Sequence, residues 1–125
     1  MNKLEEKFFG EFVKEETKSS GYKRDFSFVY FILDEHHKAV KIGYSVDPER
    51  RLLHIKASNL NNLKLLGSVK IRNGFGQSAV GAWEKKLHVL FEKYCIYKEW
   101  FKYTGGLKSF IHTLFCDLMW EEQGK

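Results

Sequence analysis

The segment FSFVYFILDEHHKAVKIGYS, residues 26–45, decides the fold because it predicts two β-strands joined by a polar turn. Both halves are dense in aromatic and β-branched residues, whereas the DEHHK stretch between them is polar. Five residues must share one face for the hairpin to present a continuous apolar surface: Val29, Phe31, Leu33, Val40 and Ile42. We therefore predict an antiparallel hairpin that turns one apolar face toward the core.

The same register places Tyr30 and Lys41 together on the opposite face, beside Gly43. A slip of one residue would bury Lys41 among apolar side chains, which is costly for an ammonium group. The hairpin thus carries a phenol, a cation and a bare backbone on the face that does not form the core.

A capped helix is predicted for DPERRLLHIKA, residues 47–57. Asp47 is a favourable N-cap, and Pro48 suits the first helical position. Arg51 lies at the edge of the apolar stripe and should face the sheet, whereas Arg50 should turn toward solvent. Cationic side chains therefore flank the turn between the second strand and this helix.

Two further segments have clear periodicity. Residues 3–18 predict an amphipathic helix with Leu4, Phe8 and Phe12 on its apolar face, which Val13 could extend. Residues 63–71 predict a third strand, with Gly67 at a β-bulge. Alternation places the apolar residues of this strand on one side: Leu63, Leu65, Val69 and Ile71.

A helix from about Ser78 to Tyr94, an extended piece at EWFKY and a final helix from position 105 complete the pattern. The order predicts an α+β fold, with a small, mainly antiparallel three-stranded sheet flanked by helices. We divide the chain into an N-terminal helical extension, residues 1–25, and one main domain, residues 26–125.

Charge is unevenly distributed along the chain. The formal net charge is +5, but residues 21–116 carry +8 and both ends are slightly acidic. A basic body points to a polyanionic partner, most simply nucleic acid. A pI near 9 is also common in small proteins that have no such partner, so charge alone leaves both readings open.

The sequence predicts an intracellular, cytoplasmic protein. No apolar run is long enough for a transmembrane helix, and the first twenty residues are too charged for a signal peptide. Cys95 and Cys116 lack metal-type spacing, and we expect both to be buried free thiols in a reducing compartment.

Five short motifs, taken in order, resemble the GIY-YIG nuclease superfamily, and most closely its divergent branch in phage and fungal proteins. They are VYFI, KIGYS, DPERRL, EKKLH and EWF, within about residues 27–110. VYF stands in place of the first family tripeptide and KIG in place of the second, where lysine is usual in the divergent branch. The asparagine often found near the end of the family motif has no counterpart, and EWF occupies that region.

The resemblance implies a metal-dependent endonuclease that hydrolyses DNA. It places Tyr30 beside the attacking water and the metal, and it implies a close backbone approach at Gly43. Arg51 matches the arginine that steadies the scissile phosphate, and Glu84 matches the glutamate that holds a single Mg²⁺ or Mn²⁺. Lys41 completes the implied catalytic set.

These residue types suit phosphodiester hydrolysis. The attacked phosphate gains negative charge, which a guanidinium meets with a planar and permanently charged fork. Mg²⁺ commonly takes one carboxylate, with waters and phosphate oxygens as its other ligands. Tyr30 would position or deprotonate water, provided that Lys41 or the metal lowers its pKa.

Each residue also has a purely structural alternative. Tyr30 would fill a half-buried sheet face, Arg51 would pair with Glu49 or Asp47, and Glu84 would lie at the surface. These alternatives are the common situation for such residues in a small α+β domain, and only the position of the side chains decides between them.

Other residues are assigned secondary roles. His54 is a second candidate at the phosphate, and His88 is a candidate near the metal whose simpler role is a structural partner of Glu84. We expect Glu99 and Trp100 to anchor the last strand against the core. Candidate DNA contacts are cations that would bind phosphates without reading sequence: Lys23, Arg24, Arg50, Lys56, Lys64, Lys70 and Arg72.

The sequence leaves two other functions open beside a nuclease that acts on double-stranded DNA. One is a catalytically inactive module of the same fold that binds nucleic acid or a protein partner. The other is a phage or host-defence accessory protein that forms a homodimer through its acidic terminal helices.

Overall fold

The computed structural model describes residues 2–17, 26–59, 61–72 and 79–115. Within these residues the elements are α1 (Lys3–Thr17), β1 (Phe26–Asp34), β2 (Ala39–Ser45), α2 (Pro48–Ala57), β3 (Leu63–Arg72), α3 (Ala79–Leu90), β4 (Cys95–Tyr97), β5 (Trp100–Lys102) and α4 (Gly105–Leu114), with a 3₁₀ turn at Glu92–Tyr94. The strands form one antiparallel sheet in the order β3-β1-β2-β5-β4. The α+β class is confirmed, and the sheet has five strands where three were predicted.

The predicted hairpin register is confirmed. Phe31 lies opposite Ile42 and Leu33 lies opposite Val40, so Tyr30 faces Gly43 directly across the two strands. The apolar face is fully buried in the main core, apart from Leu33, which is half-buried.

The sheet separates two apolar layers. The main core lies on one face under α1, α3 and α4, and its buried helical residues are Phe12, Val80, Leu87, Phe91, Leu107, Phe110 and Ile111. A smaller cluster lies on the other face, where Leu52 and Ile55 of α2 pack against Tyr30, Ile32 and Leu63. The second layer is thin, and it is the one that positions the candidate site.

Helix α1 packs on the main core with Phe8 and Phe12, as predicted, but Leu4 does not belong to the buried face. Leu4 is 67% exposed, whereas Glu5 is buried. The Phe12 ring lies 5.4 Å from the Trp83 ring of α3, and the Glu5 carboxylate lies against Gly106 in the first turn of α4. The first turn of α1 thus buries Glu5 and leaves Leu4 exposed, with the Glu5 carboxylate at the start of α4.

The prediction that β3 has a single apolar side is wrong, because a bulge inverts its faces. Ile32 pairs with Leu65 but Phe31 pairs with Gly67, so Leu66 is an extra residue in the ladder. The apolar residues therefore divide between the two layers, with Leu63 and Leu65 in the α2 cluster and Val69 and Ile71 in the main core.

The two additional strands form a short hairpin at the edge of the sheet. Helix α3 ends at Leu90, before the predicted Tyr94, and the 3₁₀ turn leads into β4. All three residues of β4 are exposed because this strand is at the edge. The prediction of a buried thiol is therefore wrong for Cys95, which is exposed, and Cys116 lies outside the described residues.

Helix α4 closes the described part of the chain and buries Leu107, Phe110 and Ile111. Neither α4 nor another helix in the described ranges has the length and apolar character needed to cross a bilayer. The residues after position 115 are not described, so pairing of the terminal helices in a homodimer stays a prediction.

Asp34 organises the turn between β1 and β2. Its buried carboxylate accepts hydrogen bonds from the backbone N–H groups of His36 and His37 at 3.0 and 3.2 Å, and from the side chains of His37 and Asn61 at 2.8 and 3.0 Å. Burial alone would raise the pKa of Asp34, but the hydrogen bonds from His37 and His36 outweigh burial and hold the pKa below its usual range.

Replacing Asp34 with Ala should lower the free energy of unfolding by about 2 kcal/mol at pH 7, because a buried and hydrogen-bonded carboxylate is lost. The folded pKa is below the unfolded value of about 3.9, so the carboxylate stabilises the fold above that value. This contribution disappears as pH falls through the folded pKa. Urea unfolding should therefore show a difference between wild type and Asp34→Ala that shrinks below about pH 4.

The neighbouring Glu35→Ala variant is the matched control. Its exposed carboxylate accepts only a 3.4 Å hydrogen bond from Asn62, so the change in unfolding free energy should stay within about 0.5 kcal/mol. Equal losses in the two variants would contradict the role given to Asp34.

Candidate active site

The Tyr30 side chain lies directly over the backbone of Gly43. A Cβ atom added to Gly43 would be 2.4 Å from the Tyr30 hydroxyl oxygen, which is closer than any real contact of that kind. Tyr30 is 1% exposed, so its ring has little freedom to move away. A glycine is required at position 43 because the phenol occupies the space that a side chain would need.

Arg51 approaches this phenol from the first turn of α2. Asp47 caps the helix by accepting a hydrogen bond from the Arg50 backbone N–H at 3.2 Å, and Pro48 is buried at the first helical position. This start directs Arg51 toward the sheet, where its guanidinium is close enough to the Tyr30 hydroxyl group to lower the pKa of the phenol. Among the described residues no ion pair joins Arg51 to Asp47, so the structural alternative of a helix-start pair is not found.

The Tyr30 hydroxyl sits among opposing charges. Burial raises its pKa above the usual range, and the hydrogen bond and charge of Arg51 oppose this rise. The carboxylates of Glu99 and Glu84 lie close enough to raise the pKa further. The net direction is upward, so the phenol keeps its proton at neutral pH. The condition that Lys41 lowers the pKa of Tyr30 is not met.

Glu84 lies in the middle of α3, one turn before His88, which contacts the backbone of β2. Its Oε1 atom is 3.5 Å from His88 Nε2, and the same Nε2 atom donates a hydrogen bond to the Ile42 carbonyl at 2.9 Å. The Glu84 side chain is only 12% exposed. Burial raises the pKa of its carboxyl group, the neighbouring Glu99 adds to the rise, and His88 and Lys41 oppose it. Glu84 is therefore not the surface residue of the structural alternative.

Lys41 projects from the same face of the sheet as Tyr30, and its ammonium group forms an ion pair. The Nζ atom lies 2.6 Å from Glu99 Oε2 and 5.8 Å from the centre of the Trp100 ring. Lys41 and Trp100 are direct partners in the β2–β5 ladder, which explains why they meet. Glu99 is the more accessible member of the ion pair, with 39% of its side chain exposed against 14% for Lys41.

A cleft of about 330 Å³ opens beside these groups. Its lining residues, which we call the cleft residues, are Lys41, Arg51, Tyr97, Lys98, Glu99 and Trp100. Tyr30 and Glu84 do not line the cleft, but each interacts with a residue that does: Tyr30 with Arg51, and Glu84 with Lys41. Arg51 and Lys41 therefore lie between the cleft and the two buried groups, and they interact electrostatically with Tyr30 and Glu84.

One buried carboxylate oxygen in the site lacks a hydrogen-bond partner within the described part of the chain. Glu84 Oε2 is buried and has no hydrogen-bond partner among the described residues. Such an oxygen is costly without a donor, and a bound divalent cation is one group that would satisfy it. The described ranges contain no group of three or more His, Cys, Asp or Glu residues arranged to hold a metal ion. The donor set therefore fits an ion that takes one carboxylate from the protein and its other ligands from water and substrate.

The other cations predicted on α2 lie near this site but not in it. Arg50, His54 and Lys56 are exposed on the helix, and no contact ties His54 to the Tyr30–Arg51 pair. Lys23 and Arg24 lie outside the described residues.

The cations of β3 divide between the two faces of the sheet. Lys64 alternates with Leu63 and Leu65, which face α2, so it projects from the opposite face. Arg72 is exposed at the end of the strand, and Lys70 lies 4.1 Å from the centre of the Phe26 ring. Lys64 therefore does not share a face with Arg51.

Sequence reasoning missed the contribution of the β4–β5 hairpin. Trp100 packs against the smaller apolar cluster, as expected of an anchor. Glu99 does not anchor the strand in this way, because its carboxylate pairs with Lys41 at the cleft. The available signal was an acidic residue immediately before a strand that pairs with the strand of Lys41.

Comparison with known proteins gives one match. The model of the family described as the T5orf172 domain matches residues 27–114, which include Tyr30, Gly43, Arg51 and Glu84. This is a phage-associated, nuclease-related domain, so the nuclease resemblance is confirmed at that level, and the GIY-YIG assignment stays a prediction. Neither the curated proteins nor the solved structures include a match to the chain.

Replacing Gly43 with Ala should lower the free energy of unfolding by about 1–3 kcal/mol, because the new methyl group would collide with the buried Tyr30 ring. Chemical denaturation monitored by circular dichroism would measure this. Gly10→Ala on α1 is the control, since no atom lies within 4 Å of its added Cβ. That change should raise stability by about 0.5–1 kcal/mol through helix propensity. A Gly43→Ala protein as stable as wild type would show that the ring does not occupy this space.

Proposed function

The chain belongs to the T5orf172 family, and from this premise we propose that it is a divalent-metal-dependent endonuclease that hydrolyses DNA phosphodiester bonds by GIY-YIG-type chemistry. One observation carries the proposal. The Tyr30 phenol lies over Gly43 and interacts with the charges of Arg51 and Glu84, and one oxygen of the Glu84 carboxylate has no hydrogen-bond partner among the described residues. We place this activity inside the cell, where DNA is present.

Arg51 is assigned to the scissile phosphate. In the reaction the oxygen of a water molecule forms a bond to phosphorus while the bond to the leaving oxygen breaks, giving a phosphomonoester and a hydroxyl end. Negative charge grows on the phosphoryl oxygens during this step. Arg51 lines the cleft and has several N–H groups, so it can bind a phosphate while one group holds Tyr30.

Tyr30 is assigned a positioning role. Because its pKa is raised, the hydroxyl can accept a hydrogen bond from Arg51 and still has a proton to donate. It therefore fixes the direction of the guanidinium and offers a donor to a phosphate oxygen or a water. The charges of the protein itself do not favour a phenolate, so we do not assign proton abstraction from water to Tyr30.

Glu84 is assigned to Mg²⁺ or Mn²⁺ through its Oε2 atom. When bound, such an ion polarises the phosphodiester and stabilises the leaving oxygen. His88 supports the carboxylate from behind, since its Nε2 proton is held by the Ile42 carbonyl and lies near Glu84 Oε1. This contact would hold the carboxylate in place and leave Oε2 for the ion.

A module that binds nucleic acid without cleaving it is the second candidate. The observation that favours it is the Lys41–Glu99 ion pair, which neutralises one of the cations implied in catalysis. The two candidates differ in whether metal-dependent cleavage occurs, and they share the expectation of salt-dependent DNA binding.

The Glu84→Gln variant should nick supercoiled plasmid at least 100-fold more slowly than wild type in Mg²⁺ or Mn²⁺, because the amide is a poor ligand for these ions. Arg51→Lys should show a loss of similar size, because a point charge does not reproduce the fork. Glu92→Gln, a change of an exposed carboxylate in the 3₁₀ turn, should cleave at the wild-type rate. Undiminished cleavage by Glu84→Gln would refute the site, and wild-type binding without nicking in either metal would establish the second candidate.

Arg50→Ala and Lys56→Ala should each weaken binding to a labelled duplex without changing its sequence preference, since both residues are exposed on α2 beside the site. Each should reduce the slope of log affinity against log salt by about 1, as expected for one lost phosphate contact. Fluorescence anisotropy at several NaCl concentrations measures both quantities. Lys64→Ala on the other face of the sheet is the matched control. A loss for Lys64→Ala as large as for Arg50→Ala would place the DNA on a different surface.

A further inference from the structure

The β4–β5 hairpin presents an aromatic residue at the mouth of the cleft. Tyr97 is 64% exposed and pairs directly with Trp100, so both side chains project from the same face of the sheet. Both residues line the cleft. A large aromatic side chain left open beside a polar site is suited to stacking on a planar partner.

The same cleft is positively charged. Lys41, Arg51 and Lys98 line it, against the single carboxylate of Glu99. Lys98 Nζ lies 5.2 Å from the centre of the Tyr97 ring, so a cation stands beside the exposed aromatic face. Alternating aromatic and cationic groups are the combination that binds a nucleic-acid strand through its bases and phosphates together.

The hairpin turn is held in a defined shape. Lys98 has a φ of 51°, which is uncommon for a residue with a side chain. The Cys95 thiol lies 3.6 Å from the Lys98 carbonyl oxygen and donates a weak hydrogen bond to it across the turn. Such a conformation persists only where the surroundings fix it, and here it directs Tyr97 and Lys98 toward the cleft.

We propose that the cleft binds an unpaired nucleotide of a DNA strand, with its base stacked on Tyr97 and its phosphate bound by Arg51 and Lys98. The volume of about 330 Å³ is at the lower end for small-molecule sites, enough for one nucleotide and too small for a duplex. The proposal rests on the proposed function in taking DNA as the ligand. It narrows the substrate class to DNA with unpaired nucleotides, such as frayed ends, flaps or gaps, next to the cleaved bond.

Stacking does not distinguish one base from another, because every base has a π-face. The site should therefore recognise that a nucleotide is unpaired without reading its identity.

The test compares a labelled 12-nucleotide thymidine strand with an abasic strand of the same length and charge, by fluorescence anisotropy without metal. Wild type should bind the strand with bases about tenfold more tightly. Tyr97→Ala should lose this difference while its affinity for the abasic strand stays unchanged. Tyr97→Phe should retain it, because stacking needs the ring and not the hydroxyl.

Tyr44→Ala is the matched control, since Tyr44 is 49% exposed and projects from the opposite face of the sheet to Lys41. It should bind both strands as wild type does, and circular dichroism should show that all variants are folded. Equal binding of the two strands by wild type, or an equal loss on both for Tyr97→Ala, would overturn the proposal. Such a result would leave the proposed nuclease intact if plasmid nicking still depends on Glu84. Base-dependent binding without any nicking would instead support the nucleotide site and contradict the proposed nuclease activity.

Discussion

The contact between the Tyr30 ring and the bare backbone of Gly43 is the constraint on which the rest of the site depends. It sets the hydroxyl at a fixed height above the sheet, where the guanidinium of Arg51 can reach it from the next helix. The hairpin register decides which two residues meet, and the capped start of α2 decides which arginine joins them. Local structure thus converts two short segments into one rigid arrangement.

Charges of both signs surround this contact, and they come from α2, from the β4–β5 hairpin and from α3. Lys41 is neutralised by Glu99, whereas Glu84 has one oxygen supported by His88 and one that is not satisfied within the described residues. Burial of Tyr30 and Glu84 favours their neutral forms, so the site resists accumulating negative charge in its resting state. A bound cation would favour the charged form of Glu84, whereas a bound phosphate would favour the neutral forms of Tyr30 and Glu84 further.

The elements nearest to this contact could be predicted because they obey local rules. The apolar alternation of β1 and β2 has only one register that keeps Lys41 out of the core, and Asp47 followed by Pro48 is a strong helix start. Alternation failed in β3 because one extra residue at Leu66 reverses every later side chain, and composition does not reveal a bulge position by itself.

The cleft was harder to foresee for a different reason. Its walls come from β4 and β5, which have three residues each and are too short to show a period. Glu99 reaches Lys41 across 58 positions of sequence, a contact that depends on which strand lies at the sheet edge. Non-local pairing of this kind is decided by the tertiary fold, so residue patterns near Glu99 contain little information about it.

Helix α1 lies outside the matched segment, yet Phe12 is completely enclosed with Trp83 and Phe110. A fragment trimmed to the boundaries of the family match would lack Phe12. It would expose Trp83 and Phe110 to solvent as an apolar, aggregation-prone surface. The family boundaries therefore do not coincide with the boundaries of the main core in this protein, because α1 covers part of that core.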